Sequence, residues 1–520
     1  MAAGVLLTVL HCVALDSAPP GLYNDEASIG YNAWAVAHHG IDEHGEAWPL
    51  FFEAFGEYKG PVYIYTLAPL TWLFPLSPAL VRFPSALSSL GICVFAGLLA
   101  WRITRLRPVT LLVLLTAGLE PWLFIEGRTA LEANIQMVLA LVIALWCFVQ
   151  AEQTKGSKSL WWFAGCGGAL TIALFAYTPA RLFCGVVVVV IAAAWSLTRR
   201  RRLAWWPLLP PLVAGYALML IWSGGHPGAL IARLQAVGIA YDHPSLLTLA
   251  TRFAGNYLDY LSFPFLFTRG DGNPRHNTGY GGMLLVTTAP VIVAGLVVCL
   301  RRRRETVPCA TLLGTAAGPI PAALTMEGTP HSLRAATMLP FLLLLAIYGW
   351  AALLRLFTES SSALRKSTRL LIATSLTVVA VVEVGGYLYD AYIQWPRRAL
   401  THFDAGEGDA IARAHEMAAG KTVIVSDTFD VPHIQAYFRL LPDPHEVAQR
   451  GLAALHMREL PAQRLDEAAK GDVLVLAPQD PVPPQAQLLE EEKVIVNHPL
   501  AQVFRPDSEV VVLASIWRMR

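Results

Sequence analysis

Long apolar runs separated by short polar connections dominate the first three quarters of this chain. A bilayer crossing takes about 20 residues of α-helix. Runs that reach or approach this length lie at 2–15, 81–101, 108–125, 132–150, 160–177, 180–198, 205–222, 283–300, 307–325, 335–355 and 369–390. A further run at 61–76 is short and contains three prolines, which is typical of a juxtamembrane or re-entrant helix. The pattern predicts a polytopic α-helical domain of eleven spans over residues 1–390.

The pattern changes after residue 390. Short β-rich runs, separated by polar stretches of helical character, follow at 422–427, 472–478, 493–498 and 509–517. This alternation predicts a small α/β domain over residues 391–520, outside the membrane. The chain shows no internal repeat, which argues against a transporter built from inverted halves.

Composition agrees with a membrane protein, since 55% of the 520 residues are hydrophobic and only 15% are charged. The net charge of +1 gives no sign of a nucleic-acid partner. Charge is unevenly distributed, because residues 391–520 carry 18 acidic and 13 basic side chains whereas residues 1–390 carry 20 and 26. All seven cysteines lie in apolar runs, so we expect neither a disulfide framework nor a CxxC metal site.

Basic clusters indicate the orientation, because cytoplasmic loops retain Lys and Arg. They lie at alternate connections, at 102–107, 155–158, 199–202, 301–304 and 355–369. With eleven spans, all of them fall on the cytoplasmic side. The loops at 16–60, 126–131, 223–282 and 326–334 and the tail from 391 are then outside. The N-terminus has no basic n-region, so we interpret residues 2–15 as a first transmembrane helix rather than a signal peptide.

Acidic and basic residues converge on the predicted outer face. They are Asp25, Glu26 and Lys59 in the first loop, Glu126, Arg128 and Glu132 in the second, and Glu327, His331 and Arg334 at the outer end of span ten. Charges at a bilayer are costly and usually face a cavity or a partner, which favours a functional site. The alternative is a set of ordinary solvated loop charges, and Arg128 and Glu132, four residues apart, could simply neutralise each other.

The outer face restricts the chemistry. No nucleotide is available there and the chain has no GxxxxGK[ST] or GxGxxG phosphate cradle, so an activated donor would have to come with the membrane. A sugar on a polyprenyl phosphate fits this requirement. Its phosphate needs charge neutralisation by Lys or Arg as it leaves, and the acceptor hydroxyl needs a carboxylate to take its proton.

Six segments resemble the GT-C superfamily, and within it the bacterial relatives of the protein O-mannosyltransferases and of the lipid A aminoarabinose transferase (glycosyltransferase family 39 and its kin). They are "YNDEASIGYNAWAVAHHGIDEHGEAWPLFFEAFGEYKGPVYIY", "RFPSALSSLGICVFAGLLAWRI", "GRTALEAN", "AYTPARLF", "GDGNPRHNTGYGGML" and "PHSLRAATMLP". The resemblance implies a multi-pass protein of the bacterial plasma membrane with juxtamembrane helices. It also implies an active site on the periplasmic face and inverting transfer from a polyprenyl-phosphate sugar.

The resemblance assigns roles to residues of the first two loops. Asp25 matches the family's first-loop aspartate, which implies a base or acceptor-orienting acid, with Glu26 beside it. Lys59 matches the lysine of a K-P-P-L element that contacts the donor phosphate, and Gly60 replaces the first proline, so this loop is expected to be less rigid. Glu132 matches a second-loop catalytic acid, and Arg128 before it is assigned to the phosphate.

Two later segments complete the expected site. His331 and Arg334 match a P-H-x-L-R element, which we assign to the donor phosphate or the carrier lipid. Asp271, Arg275 and His276 match a GD-x-NPRH loop of the bacterial branch, a possible substrate loop. The sequence shows no His/Asp cluster at ligand spacing and indicates no cofactor, although a divalent cation such as Mg²⁺ or Mn²⁺ is compatible with the site.

Three functions remain open from the sequence. The first is a glycosyltransferase whose acceptor is a protein, lipid or glycan hydroxyl. The second is a ligase or polymerase of lipid-linked glycans, and the third is a lipid or sugar transporter without chemistry. A transporter would be expected to place ionisable groups near mid-membrane, so their position at one interface favours the enzymes. For residues 391–520 we expect either acceptor selection or structural support.

Overall fold

Helices make up most of the protein in a computed structural model, which describes residues 2–199, 204–358, 366–495 and 510–520. The α-helices, numbered α1 to α22 in chain order, are Ala2–Cys12, Asn24–His39, Pro61–Leu67, Pro78–Thr104, Arg107–Leu119, Pro121–Glu126, Asn134–Gln153, Ser157–Ala176, Thr178–Thr198, Leu209–Gly225, Ala232–Val237, Leu246–Tyr260, Ala289–Arg301, Thr306–Ala317, Ile320–Ala323, Ser332–Ala335, Leu339–Thr358, Lys366–Tyr389, Trp395–Arg398, Glu407–Ala418, Pro432–Leu440 and Pro444–Arg450. The strands, β1 to β7, are Phe52–Ala54, Glu57–Lys59, Val423–Ser426, Met457–Leu460, Val473–Leu476, Ala486–Ile495 and Val510–Met519. Parts of the predicted basic clusters, at 200–202 and at Arg365, and of the β-rich runs, at 496–498 and 509, lie outside the described residues.

Seven described helical segments are long and apolar enough to cross a membrane, which confirms a polytopic helical membrane protein. They are Pro78–Thr104, Asn134–Gln153, Ser157–Ala176, Thr178–Thr198, Trp206–Gly225, Ser332–Thr358 and Ser367–Arg398. Three of the other predicted spans correspond to shorter apolar helices, Ala2–Cys12, Arg107–Leu119 and Val286–Arg301. The count of eleven therefore stays a prediction.

Proline explains why two predicted spans are interrupted. The run at 108–125 is divided between α5 and α6, and the run at 307–325 between α14 and α15. Pro121 begins α6, and Pro319 follows the end of α14. A proline has no N–H for the helix and restricts the residue before it, so each run bends instead of continuing. Residues 61–76 likewise form only the short helix α3 and a 3-10 turn.

The C-terminal segment contains a five-stranded sheet in the order β4–β3–β5–β7–β6. Strands β4, β3 and β5 are parallel, whereas β7 is antiparallel to both β5 and β6. The sequence pattern did not indicate β4, because only its first and last residues, Met457 and Leu460, are buried. That residues 391–520 form a separate domain outside the membrane stays a prediction.

Helix α2, which carries the first-loop acids, is covered by the C-terminal segment. The amide of Gln435 in α21 donates to the carbonyl oxygen of Leu22 at 2.7 Å and to Oδ1 of Asn24 at 3.1 Å. The Tyr31 hydroxyl donates to the carbonyl oxygen of Pro442 at 3.0 Å. A Cβ at Gly30 would lie 2.6 Å from the Phe438 ring, so glycine permits this close approach. Helix α2, near the N-terminus, is therefore held in place by residues of the C-terminal segment.

Candidate functional site

Asp25 and Lys59 form an ion pair at the start of α2. Lys59 ends β2, which pairs with β1 in a short antiparallel hairpin. Its side chain is only 4% exposed, whereas that of Asp25 is 24% exposed. Burial alone would lower the pKa of Lys59, but the carboxylates of Asp25 and Glu132 outweigh burial and raise it. Lys59 is thus a fixed positive charge beside a carboxylate that solvent can reach.

The presence of glycine at position 60 has a steric explanation. A Cβ at this position would lie 2.3 Å from the carbonyl oxygen of Phe175 and 2.7 Å from that of Ala176, at the end of α8. Because Gly60 has no Cβ, the chain directly after Lys59 can pack against the backbone of α8, a transmembrane helix. The glycine in place of the family's proline therefore fits a close backbone contact, and the lower rigidity of this loop stays a prediction.

Glu26 has a different environment from its neighbour Asp25. Both Glu26 and Arg82 of α4 have fully buried side chains, and they join through two short contacts, Nε to Oε1 at 2.8 Å and Nη2 to Oε2 at 2.6 Å. The backbone N–H groups of Ala130 and Tyr23 also donate to Glu26, at 2.9 and 3.2 Å. A carboxylate with all these donors and no exposure is suited to positioning, not to proton transfer. No sequence pattern singled out Arg82 beyond its place in a quoted segment.

Glu132 lies in the loop before α7 with a left-handed backbone, φ +62°. Such a conformation is costly for a residue with a side chain and is often found at functional sites. Burial raises the pKa of Glu132 to about 7, the charge of Lys59 opposes this, and that of Asp25 adds to it. The structure therefore brings the two predicted acids Asp25 and Glu132 into one electrostatic group around Lys59.

The contacts of Glu126 lie outside the group of Asp25, Lys59 and Glu132. Its carboxyl group is fully buried and accepts from Trp122 Nε1 at 2.8 Å and Asn134 Nδ2 at 2.6 Å. Burial raises its pKa to about 8, and the carboxylate of Asp271 contributes to the same direction. Glu126 thus holds the second loop against α7.

Arg128 does not fit the predicted phosphate role. Its guanidinium is almost fully buried and donates to backbone carbonyl oxygens in the last turn of α1 and the segment after it, to those of Leu10 at 2.9 Å, Val13 at 2.7 Å and Ala18 at 2.9 Å. Burial lowers its pKa. The residue lies in a turn, so the expected pairing with Glu132 on one helical face is wrong. Arg128 stabilises the end of α1, because carbonyls at a helix C-terminus need donors.

Arg334 shares an acidic partner with a second arginine, which the sequence analysis did not single out. Arg334 donates to Oε2 of Glu327 at 2.8 Å, and Arg233 of α11 contacts the same oxygen at 3.0 Å. Arg233 also lies 3.6 Å from Glu57, two residues before Lys59. Burial alone would raise the pKa of Glu327, but the two arginines outweigh it and lower the pKa. This charge cluster is visible only in three dimensions, because no sequence motif marks Arg233.

The GD-x-NPRH loop meets the P-H-x-L-R element. Nδ1 of His276 lies 2.8 Å from Oδ2 of Asp271, and the rings of His276 and His331 are 4.5 Å apart between centroids. The backbone N–H of Ser332 also donates to Asp271, at 2.8 Å. Arg275 instead stacks over the ring of Tyr23, 4.0 Å from its centroid. Tyr23 lies two residues before Asp25 in the sequence. Ligand spacing in the sequence did not indicate this cluster, because residues 55 positions apart in sequence converge here.

The chain was compared with known proteins, and residues 3–222 match the family model described as dolichyl-phosphate-mannose-protein mannosyltransferase. This range contains Asp25, Lys59 and Glu132 and ends before the GD-x-NPRH loop. Among curated protein sequences no relative matches the chain.

Solved structures resemble the fold over nearly the whole chain. ArnT from Cupriavidus metallidurans bound to undecaprenyl phosphate has a TM-score of 0.58 at 14% identity, and the alignment covers 99% of this chain and 97% of that one. The apo form of the same protein has a TM-score of 0.55 at 12% identity, with the same coverage. The oligosaccharyltransferase AglB from Archaeoglobus fulgidus, in complex with an inhibitory peptide and a dolichol-phosphate, has a TM-score of 0.49 at 14% identity and covers 88% of this chain and 64% of that one.

Proposed function

We propose that this chain is an integral membrane glycosyltransferase of the GT-C superfamily, which the family match over residues 3–222 and the ArnT-like fold support. It transfers a sugar from a polyprenyl-phosphate donor to an acceptor hydroxyl, with inversion. The ArnT structure with bound undecaprenyl phosphate supports a polyprenyl phosphate as the carrier.

The observation that carries the proposal is the Asp25–Lys59 ion pair beside Glu132. In the reaction, Asp25 takes the proton of the acceptor hydroxyl while the oxygen of that hydroxyl bonds to the anomeric carbon. The bond from that carbon to the phosphate oxygen breaks, and its electron pair leaves with the phosphate. Lys59 stabilises the charge that develops there. A single displacement of this kind inverts the anomeric centre.

The ion pair also couples donor binding to activation of the base. In the free protein Lys59 neutralises Asp25. A donor phosphate is a stronger partner for an ammonium than one carboxylate, so its arrival draws Lys59 away from Asp25. The carboxylate is then free to accept a proton from the acceptor hydroxyl. Arg334 and Arg233 extend the positive surface on which the phosphate binds.

The site lies on the periplasmic face of a bacterial plasma membrane in this proposal. The positive-inside pattern of the basic loops supports this orientation. Residues 1–390 form the catalytic domain, of about 11 spans counted by apolar runs. Residues 391–520 lie on the same outer side, and the contacts between α21 and the start of α2 support this placement.

The test uses purified full-length protein in lipid nanodiscs and a panel of polyprenyl-phosphate sugars. We expect Asp25→Asn to abolish transfer while donor binding remains, and Lys59→Ala to weaken donor binding first. Asp242→Asn, which removes the acid of an exposed ion pair with Arg252 elsewhere on the outer loops, is the matched control and should leave turnover unchanged. No donor turnover by the wild type, or full turnover in Asp25→Asn, would contradict the proposal.

A further inference from the structure

Three side chains that could bind a metal ion lie close together inside the protein: Asp271, His276 and His331. One oxygen or nitrogen from each lies within 4.8 Å of the other two. Asp271 and His276 are buried, and Nδ1 of His331 is a buried nitrogen without a hydrogen-bond partner among the described residues. A buried polar atom left unpaired in this way is costly, so it calls for a ligand.

We propose that these three residues bind a first-row transition-metal ion of the Zn²⁺ class. Two imidazoles and one carboxylate are a common ligand set for such ions, which leaves further positions for water or substrate. Two ligand atoms that each lie about 2.0–2.1 Å from one ion are roughly 3 Å apart. The 2.8 Å between Nδ1 of His276 and Oδ2 of Asp271 matches that separation.

Metal binding replaces one hydrogen bond of the site. The contact between His276 Nδ1 and Asp271 Oδ2 gives way to one bond from each atom to the ion, and the ring proton of the neutral imidazole then lies on Nε2. No bond to carbon forms or breaks, and no redox partner is needed.

The loop around Asp271 is held in place before any ion arrives. Oδ1 of Asp271 accepts from the N–H of Asn273 at 2.8 Å, and Oδ2 accepts from the N–H of Ser332. The Asn277 amide donates to the carbonyl oxygens of Arg269 and Gly281, at 3.0 and 3.1 Å. Such support around a ligand lowers the entropy cost of binding. The ion would clamp this loop to the segment that carries Arg334.

The chain offers a matched control in a second group, His39, Asp443 and His445. Its ligand atoms also lie within 4.8 Å of one another, but all three residues are exposed. Exposed side chains keep their freedom and their water, so we expect only weak binding there. His445→Ala therefore tests whether any retained ion belongs to the buried group.

The experiment uses full-length protein purified in nanodiscs without a polyhistidine tag, stripped with a chelator and reloaded with Zn²⁺ or Co²⁺. We expect the wild type and His445→Ala to retain about one equivalent by elemental analysis. His276→Ala and His331→Ala should bind at least about tenfold more weakly and lose the Co²⁺ absorption bands. Equal retention in these variants and the wild type, or loss in His445→Ala, would overturn the proposal.

Two further measurements cover the case in which the alanine variants do not fold. Asp271→Asn keeps the size of the side chain and should still lower Co²⁺ affinity. In the stripped wild type, Zn²⁺ should raise the midpoint of thermal unfolding, and the rise should grow with the logarithm of the Zn²⁺ concentration above its dissociation constant. A stripped wild type that neither retains Zn²⁺ nor gains stability from it would refute the site. None of these readouts requires glycosyl transfer, so they separate this inference from the proposed function.

Discussion

Glu26 and Arg82 form a fully buried two-point ion pair, while Asp25, the next residue in the chain, faces Lys59 and solvent. Two adjacent acids at the start of α2 thus have unlike environments. The helix explains the divergence, because successive side chains point in directions about 100° apart. One acid fixes α2 to α4, and the other is left for chemistry.

Glu26→Gln is predicted to destabilise the protein strongly. It leaves the buried guanidinium of Arg82 without its counter-charge, and breaking such a pair costs about 3–5 kcal/mol. Asp25→Asn, at a partly exposed position, should shift the unfolding midpoint far less. Thermal unfolding of both variants in nanodiscs measures this difference, and equal shifts would show that Glu26 is not a structural anchor.

Arg128→Lys is predicted to reduce stability and to leave donor affinity unchanged. A lysine ammonium cannot reach the separate carbonyls that the guanidinium of Arg128 bonds, and we expect a loss of about 2–4 kcal/mol. Arg334→Lys should show the reverse, with a higher donor KM and a small change in unfolding. An increase of donor KM in Arg128→Lys alone would return this arginine to the phosphate site.

The rate of transfer is predicted to rise with pH through about 7. Burial raises the pKa of Glu132 from 4.5 to about 7, so the carboxylate that would act beside Asp25 forms as the pH rises through about 7. In Glu132→Gln this limb of the pH–rate profile should disappear. A profile with the same limb in Glu132→Gln would assign it to another group.

The same shift predicts a pH dependence of stability. The folded pKa of Glu132 is higher than the unfolded value, so its contribution to stability is present below about pH 4.5 and is lost as pH rises through about 7. Unfolding midpoints measured across this range should fall less steeply in Glu132→Gln than in the wild type. Parallel curves would contradict the raised pKa.

Glu327→Gln is predicted to strengthen donor binding. The Glu327 carboxylate lies between Arg233 and Arg334, and removing its charge leaves two guanidiniums for the donor phosphate. Since the ion pair is half exposed, we expect only about a two- to fivefold gain in affinity, equivalent to about 0.5–1 kcal/mol. Glu305→Gln, which breaks an exposed pair with Arg302 on the opposite side in the predicted topology, is the control and should have no effect. Weaker donor binding in Glu327→Gln would show that this acid itself contacts the substrate.

Sequence patterns predicted the helical membrane character, and the quoted motifs led to Asp25, Lys59 and Glu132, which the structure brings into one group. Local reasoning failed where a side chain acts across the fold. The resemblance assigned Arg128 to the donor phosphate, but its partners are carbonyls more than 100 residues earlier. Arg82 lies inside an apolar run, where no pattern shows that it meets Glu26, 56 residues away.

The histidine cluster illustrates the same limit for ligand sets. A metal motif is visible in sequence when its ligands share one turn or one helix. Here Asp271 and His276 share a loop, but His331 comes from the residue before the helix α16. Their meeting depends on how the loop at 269–283 folds back, which no periodicity records.

The contacts between α21 and the start of α2 have a consequence for biosynthesis. Leu22 leaves the ribosome 413 residues before Gln435, the side chain that caps its carbonyl group. Because chains fold as they are made, from the N-terminus onward, the helix that bears Asp25 spends most of translation without its cover. A polypeptide released before about residue 440 has both residues of the Asp25–Lys59 pair and lacks the α21 contacts at the start of α2. These contacts can therefore form only late in synthesis.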